Sequence, residues 1–139
     1  MQVGTVIRWD NFPSPQFGGT KKPRWFLCLG KTSKLSTPIK FYLHSTTTTK
    51  RINIRHFFFT KNKYGFFKEN CCLNFNERPY PFPKSQLNNR DIHIIGYIDK
   101  NDLRLVFDGI KKEQRYTRME LLDIYNSLTG VGIEGLTKP

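Results

Sequence analysis

The sequence lacks the features that identify several large classes of protein. It has three cysteines, Cys28, Cys71 and Cys72, and no C-x-x-C spacing, so neither a disulfide framework nor a usual zinc site is predicted. It contains neither G-x-x-x-x-G-K-[ST] nor G-x-G-x-x-G, the common nucleotide-binding loops. No apolar run approaches the ~20 residues that span a bilayer, and the amino terminus has no signal-peptide pattern. We therefore expect a cytoplasmic protein with reduced, buried thiols that uses no membrane, metal or other cofactor.

Acidic residues are scarce in the first half of the chain. Residues 1–70 contain thirteen Lys and Arg but two acids, Asp10 and Glu69, so this half carries +11 of the net charge of +12. An incidental excess of base would be spread over both halves. A concentrated field attracts polyanions, and the basic half has no apolar helical stripe that suits a membrane surface. Nucleic acid is the expected partner, and two acids so far apart in sequence argue against a two-metal carboxylate nuclease.

The pattern of apolar residues predicts strands first and helices last. Short apolar or alternating runs predict strands at 4–9, 24–29, 39–45, 52–60, 71–75 and 93–98. Two helices are expected after residue 99, the first capped by Asp99 and the second by a capping box of Thr117 and Glu120. Strand 39–45 is predicted to place Ile39, Phe41 and Leu43 on one face and Lys40, Tyr42 and His44 on the other.

These elements predict a mainly β protein with C-terminal helices, of the α+β class. Several short strands at this spacing favour a small, strongly curved sheet or barrel. The strands and helices are expected to form one domain over residues 1–128. Residues 129–139 have no clear period and are predicted to be a flexible tail.

Two basic segments hold groups that can cleave RNA without a metal. In such cleavage the 2′-hydroxyl of the RNA attacks the phosphate, and the protein stabilises the pentacoordinate phosphate and moves protons. The segment GGTKKPR (18–24) supplies Lys21, Lys22 and Arg24, and HSTTTTKR (44–51) supplies hydroxyls and further cations. A guanidinium suits the phosphate because its planar fork binds two oxygens at once.

Each of these groups also has an ordinary structural interpretation. Arg24 can be a strand-edge arginine, the threonine run a β-prone edge, and His44 a solvated strand residue. Lys21 and Lys22 are predicted to position phosphates in either case. The stretch RHFFFTKNKYGFFK (55–68) alternates cations with aromatics, as single-stranded RNA binders do. It is equally consistent with a core strand followed by a basic loop.

The order of the segments resembles the MazF/PemK family of toxin–antitoxin ribonucleases. From Gly4 to about Leu128 the chain runs through GTVIRW, GGTKKPR, WFLCLG, FYLHSTTTT, HFFF, KYGFFKENCCLNF, IIGYID and MELLDIYNSL. The resemblance implies a small, SH3-like curved barrel of the MazF/PemK/CcdB type. It also implies an active site that pairs the arginine starting the second strand with a hydroxyl ending the third. By position these are Arg24 with Thr46 or Thr47, or with Ser45.

The resemblance further implies a sequence-selective, metal-independent endoribonuclease toxin that cuts single-stranded mRNA to 2′,3′-cyclic phosphate ends. Growth inhibition would be neutralised by an acidic antitoxin covering a basic groove of a homodimer. The expected RNA-binding residues are Lys21, Lys22, His44, Lys50, Arg51 and Arg55. Two alternatives stay open: a non-catalytic single-stranded nucleic-acid-binding protein that uses the basic first half, and a toxin of the same fold that acts on a protein such as a topoisomerase.

Overall fold

The computed structural model describes residues 1–13, 21–33, 38–48, 56–75, 77, 79–88, 90–113 and 115–139, with the backbone alone at Pro13, Lys21, Thr48 and His56. Within these ranges the strands are β1 Thr5–Pro13, β2 Lys21–Lys31, β3 Lys40–Thr48, β4 His56–Phe59, β5 Cys71–Asn74, β6 Tyr80–Pro83 and β7 Ile92–Tyr97. The helices are α1 Lys100–Glu113 and α2 Arg118–Gly130, and a short 3-10 helix, Lys84–Leu87, follows β6. None of the helices in the described part is long and apolar enough to cross a membrane.

The strands form one antiparallel sheet that is curled into a half-barrel. Its order is β4-β5-β3-β2-β1-β7, and β6 pairs with β3 beside this path. The first part of β3 pairs with β6 and its last part with β5, so β3 has a different neighbour at each end. Both helices follow the last strand. The predicted class, mainly β with C-terminal helices, is confirmed.

Both faces of the central strands are buried. In β2, Leu27 and Leu29 point to the side covered by the helices, whereas Phe26 and Cys28 point to the other side. We call the first side the helix-side core; it includes Val6, Leu73, Leu103, Val106, Phe107, Ile110, Ile124 and Leu128. We call the second side the aromatic cluster; its buried members are Ile7, Trp9, Phe12, Phe26, Cys28, Phe41 and Leu43, with Tyr80 and Phe82 packed against them.

β3 shows the predicted alternation, but neither of its faces is open to solvent. Phe41 and Leu43 join the aromatic cluster, and on the opposite face Tyr42 and His44 are 5% and 0% exposed. The Tyr42 hydroxyl donates to Asp123 of α2 over 2.8 Å. The interpretation of His44 as a solvated strand residue is therefore wrong, because a central strand of a sheet packed on both sides has no polar face.

β6 is a strand that the sequence does not predict. Two prolines in the four residues Tyr80–Pro83 argue against a strand, since proline cannot donate to a ladder. The N–H of Lys84 donates to the carbonyl of Ile39 over 2.9 Å, one position beyond the pair Lys40–Pro83, so this N–H points towards the β3 side. Alternate N–H groups of a strand point the same way, so Pro81 and Pro83 occupy the positions that face away from β3. The prolines thus cost the β3–β6 ladder no donor.

The helix caps agree with the sequence. Asp99 accepts from the N–H of Asp102 over 2.8 Å at the start of α1, and Thr117 and Glu120 form both hydrogen bonds of the capping box at the start of α2. The segment after α2, predicted to be a flexible tail, contacts the domain at two points. Ile133 is buried in the helix-side core, and Lys111 Nζ donates to the carbonyl of Thr137 over 3.1 Å.

Candidate functional site

A cleft of about 500 Å³ opens at the end of β1, β2 and β3 on the helix side of the sheet. Arg8 of β1 is paired with Trp25 of β2, and Trp25 is paired in turn with Thr46 of β3. Directly paired residues of neighbouring strands point to the same face. A guanidinium, an indole and a hydroxyl therefore lie side by side along one side of this space, which we call the β1–β3 cleft.

The other side of the cleft comes from the segment between β4 and β5. It contributes Phe67, Lys68 and Glu69. Phe67 is buried, and its ring centre lies 5.7 Å from that of Trp25, so the two sides of the cleft meet through aromatic packing. Lys68 and Glu69 are exposed and place one positive and one negative charge at the opening.

This second side is held in place by the start of α1. The Tyr64 hydroxyl donates to the carboxylate of Asp102. Lys63 Nζ lies 2.9 Å from Asp102 Oδ2 and 3.0 Å from Asp99 Oδ2. Because Tyr64 and Asp102 are both buried, the loop that carries Lys68 is fixed to the body of the protein by a charged hydrogen bond that is largely shielded from water.

The charges of the cleft are balanced. Arg8 and Lys68 are its cations, and Asp10 and Glu69 are its acids. These two acids are the only ones in residues 1–70, and the fold brings both to one cleft although 58 positions separate them in the chain. Arg8 Nε donates to Asp10 Oδ1 over 3.0 Å. Separation along the sequence, which argued against a carboxylate site, says little about separation in this sheet.

Asp10 joins Arg8 to a histidine of the next strand. His93 of β7 is the register partner of Arg8, and its Nε2 lies 3.2 Å from Asp10 Oδ2. Asn11, directly after Asp10, has φ of +58° at an irregularity in the β1–β2 register. Bulges and left-handed backbone at non-glycine residues are frequent next to functional sites. No sequence pattern indicates this cluster, because nothing in the order of residues shows that β7 pairs with β1.

The structure places Arg24 on the opposite face of β2 from the cleft. Arg24 is adjacent to Trp25, and successive side chains of a strand point to opposite faces. Its Nη1 donates to Ser45 Oγ over 3.4 Å. Ser45 is 2% exposed. Of the hydroxyls that the resemblance offers, the fold brings Ser45 to Arg24, and it places Thr46 in the cleft that Arg8 also lines, with Trp25 between them.

The two threonines lie at the cleft. Thr46 and Thr47 both line it. Thr46 Oγ1 donates to the carbonyl of Trp25 over 3.4 Å, and Thr47 Oγ1 lies 3.7 Å from the sulfur of Cys72. Both side chains are half-buried, so each hydroxyl has a defined position and some access to solvent.

The six predicted RNA-binding residues differ in where the structure places them. Lys22 is exposed near the start of β2, and the backbone of Lys21 begins that strand. His44 is fully buried, so its imidazole is not on a surface that RNA can reach; burial also lowers the pKa of His44. The remaining three predictions, Lys50, Arg51 and Arg55, lie outside the described residues.

The aromatic residues of 56–75 serve the core. Phe59, Tyr64 and Phe67 are buried in the helix-side core, and the described lysines beside them are exposed. Every phenylalanine side chain in the described part of the chain is buried or half-buried. This arrangement matches the interpretation of a core strand followed by a basic loop.

Cysteine chemistry does not suit this cleft. Cys71 lies at its edge, but burial raises the pKa of its thiol to about 12, and the thiolate is the reactive form. Burial likewise raises the pKa of Cys28 to about 12. The three thiols are free and buried, as predicted. Among the residues that the structure places, His, Cys, Asp and Glu form no group of three that could hold a metal ion.

A second hollow, of about 760 Å³, lies at the edge of the aromatic cluster. Trp9, Phe12 and Phe82 line it together with neutral polar side chains and a single cation, Arg90. Its described lining contains no carboxylate. The β1–β3 cleft combines cations, hydroxyls, carboxylates and an accessible indole, and it is therefore the better candidate for chemistry.

No protein-family model and no curated protein matches the chain. The cleft and the distribution of charge are therefore the features that bear on function.

Proposed function

We propose that this chain is a metal-independent endoribonuclease of the MazF/PemK type that cuts single-stranded RNA in the β1–β3 cleft. The observation that carries the proposal is the placement of Arg8, Trp25 and Thr46 side by side on three paired strands, with Lys68 across the cleft. An RNA strand can be bound where three groups lie close together: a fork-shaped cation and a hydroxyl for the sugar–phosphate backbone, and a flat ring on which a base stacks.

The reaction requires little covalent chemistry from the protein. The 2′ oxygen attacks the neighbouring phosphorus, the bond from phosphorus to the 5′ oxygen breaks, and the products are a 2′,3′-cyclic phosphate and a 5′-hydroxyl. Arg8 and Lys68 offset the negative charge that grows on the phosphate oxygens. The Thr46 hydroxyl, which donates to the Trp25 carbonyl over 3.4 Å, turns to donate to the same oxygens, and Trp25 stacks on a base.

The basic residues outside the cleft extend the binding surface. Lys22 and Arg24 share the opposite face of the same strand end, where they meet the RNA backbone on its way into the cleft. In this proposal the half-barrel is the SH3-like MazF fold, the protein acts in the cytoplasm as a homodimer, and an acidic antitoxin segment covers the basic surface.

The test is incubation of the purified protein with a mixed single-stranded RNA in EDTA, followed by mapping of the new ends. We expect discrete cuts that end in cyclic phosphate. Arg8→Ala should lower the cleavage rate by about 10²–10³-fold, and Arg8→Lys, which keeps the charge but loses the fork, should restore only part of it. Arg24→Ala should weaken RNA binding more than the rate of the bound complex. Lys112→Ala, which removes an exposed charge from α1, is the control.

Two other outcomes have definite meanings. A greater loss of turnover in Arg24→Ala than in Arg8→Ala would place the reacting phosphate on the Ser45 side of β2. RNA that is bound but stays intact would favour the non-catalytic binder. The balanced charge of the cleft and the positive charge of residues 1–70 around it also suit such a binder.

A further inference from the structure

We propose that His93, which lies on β7 beside Arg8 of the β1–β3 cleft, takes the proton from the RNA 2′-hydroxyl, and that Asp10 positions it. This inference depends on the ribonuclease function proposed above. It assigns a catalytic role to a strand, β7, that sequence patterns and the family resemblance leave without one.

The first observation is the geometry of three adjacent side chains. Arg8 and His93 are paired across β1 and β7 and point to the same face. Asp10 lies two residues after Arg8 on that face, and its two oxygens have different partners: Oδ1 accepts from Arg8 Nε over 3.0 Å, and Oδ2 lies 3.2 Å from His93 Nε2. The carboxylate therefore fixes both the guanidinium and the imidazole.

The second observation is which ring nitrogen is left for a substrate. Nε2 is the ring nitrogen that faces Asp10, and no hydrogen bond joins Nδ1 of His93 to another described residue. A carboxylate that holds one nitrogen as N–H leaves the other as the acceptor in the neutral ring. The dyad is thus arranged with its basic nitrogen unengaged.

The third observation is access. The side chain of His93 is 46% exposed, whereas His44 is fully buried, so His93 is the histidine of the described side chains that RNA can reach. Asp10 and Arg8 are one-third exposed and both line the β1–β3 cleft. An RNA phosphate held by Arg8 would bring its ribose to the edge of the cleft where β7 lies.

The chemical step balances without a cofactor. As the 2′ oxygen bonds to phosphorus, its proton passes to Nδ1 of His93, and Asp10 stabilises the imidazolium through Nε2–H. The bond from phosphorus to the 5′ oxygen breaks, and that oxygen takes a proton from solvent. The imidazolium then returns its proton to solvent, so the enzyme is unchanged after each turnover.

The experiment measures single-turnover cleavage of a single-stranded RNA in EDTA and, separately, the binding of the same sequence with 2′-deoxyriboses. His93→Ala should cut about 10²–10⁴-fold more slowly and bind the deoxy analogue as tightly as the wild type. Added imidazole should restore the rate of His93→Ala in proportion to its concentration. Tyr97→Ala, an exposed residue of the same strand, should cut at the wild-type rate.

Asp10 needs its own readout because it acts through His93. Asp10→Asn should lower the rate less than His93→Ala does, and Asp10→Glu should recover part of the loss. Imidazole should not rescue Asp10→Asn, since the ring is still present.

The outcomes separate this inference from the proposed function. A wild-type protein that does not cut RNA contradicts the ribonuclease itself. A wild-type protein that cuts, with a His93→Ala variant that is equally fast, overturns the role of His93 alone. A slow His93→Ala variant that also loses the deoxy analogue and does not respond to imidazole would show that His93 only supports the structure.

Discussion

At the residue scale, His44 shows how burial acts on one ionisable side chain. It is 0% exposed in β3. Its Nδ1 lies 2.9 Å from the carbonyl of Ser45, and its Nε2 has no hydrogen-bond partner among the residues that are described. Burial lowers the pKa of His44 below its ordinary 6.5, although the Ser45 carbonyl and the charge of Glu77 act in the opposite direction. The ring is therefore neutral in the folded protein and gains a proton on unfolding in acid.

We expect the free energy of unfolding to fall as the solution becomes acidic. Below pH 6.5 the unfolded chain binds more protons at this site, so the contribution is complete above that pH and is lost as the pH falls towards the lower pKa of the folded state. The slope reaches at most about 1.4 kcal/mol per pH unit. Urea unfolding between neutral pH and about pH 5 measures it.

The matched control is the exposed histidine. His44→Gln should flatten the dependence on pH, while His93→Gln should keep a slope that His44 still supplies. An unchanged slope in His44→Gln would show that other groups cause the effect.

Site residues could be predicted from the sequence only in part. The sequence pointed to Thr46, Thr47 and Arg24 because hydroxyls and cations at strand ends can be read from a sequence; the structure places the two threonines at the β1–β3 cleft and Arg24 on the opposite face of β2. Whether Arg24 faces Thr46 or Ser45 depends on the β2–β3 register, which composition does not fix. Asp10 and His93 come together through pairing of the first and last strands, a contact that no local pattern encodes.

At the element scale, each helix is joined to the rest of the fold by one buried tyrosine–aspartate hydrogen bond. Tyr42 of β3 donates to Asp123 of α2, and Tyr64, in the loop after β4, donates to Asp102 of α1. All four residues are at most 7% exposed. In such surroundings a hydrogen bond to a carboxylate is strong, and an unsatisfied carboxylate is costly.

Removing either hydroxyl should destabilise the protein measurably. We expect Tyr42→Phe and Tyr64→Phe each to lower the free energy of unfolding by about 1–3 kcal/mol. Because the two bonds belong to different helices, the losses should add in the double variant. Thermal or urea unfolding measures both, with Tyr97→Phe, an exposed tyrosine, as a control that should stay within about 0.5 kcal/mol of the wild type. Losses no larger than that of the control would mean that the two bonds contribute nothing.

The elements themselves were largely predictable. Alternation and apolar runs indicated six of the strands, and the spacing of Leu103, Val106 and Phe107 indicated α1, because these patterns follow from the geometry of a strand and a helix. β6 was missed because its prolines argue against pairing. The rule concerns the N–H groups that face a partner, and the sequence alone does not say which way each N–H points.

At the scale of the whole molecule, the charge has a consequence for binding. Residues 1–70, with a net charge of +11, supply β1 to β4 and much of the β1–β3 cleft. A polyanion that meets this half releases counterions for each phosphate that is contacted. Affinity for single-stranded RNA should therefore depend strongly on salt, whether or not the RNA is cut.

We expect log affinity to fall linearly with log salt, with a slope of about −0.7 for each phosphate contact. Lys68→Ala, at the cleft, should reduce the magnitude of the slope by about 0.7. Lys112→Ala, on α1, removes the same charge and should leave the slope unchanged. Fluorescence anisotropy with the 2′-deoxy analogue measures this without cleavage, and equal slopes in the two variants would contradict a binding surface centred on the cleft.

The outward-facing prolines of β6 bear on how copies of the protein meet each other. A free strand edge presents a row of N–H and C=O groups to which another chain can add, and this is a route to aggregation. On β6, Pro81 and Pro83 stand where two of those outward N–H groups would be. An incoming strand would find acceptors there but no donors. A sheet that curls only half-way to a barrel thereby keeps this edge from being extended into an intermolecular sheet.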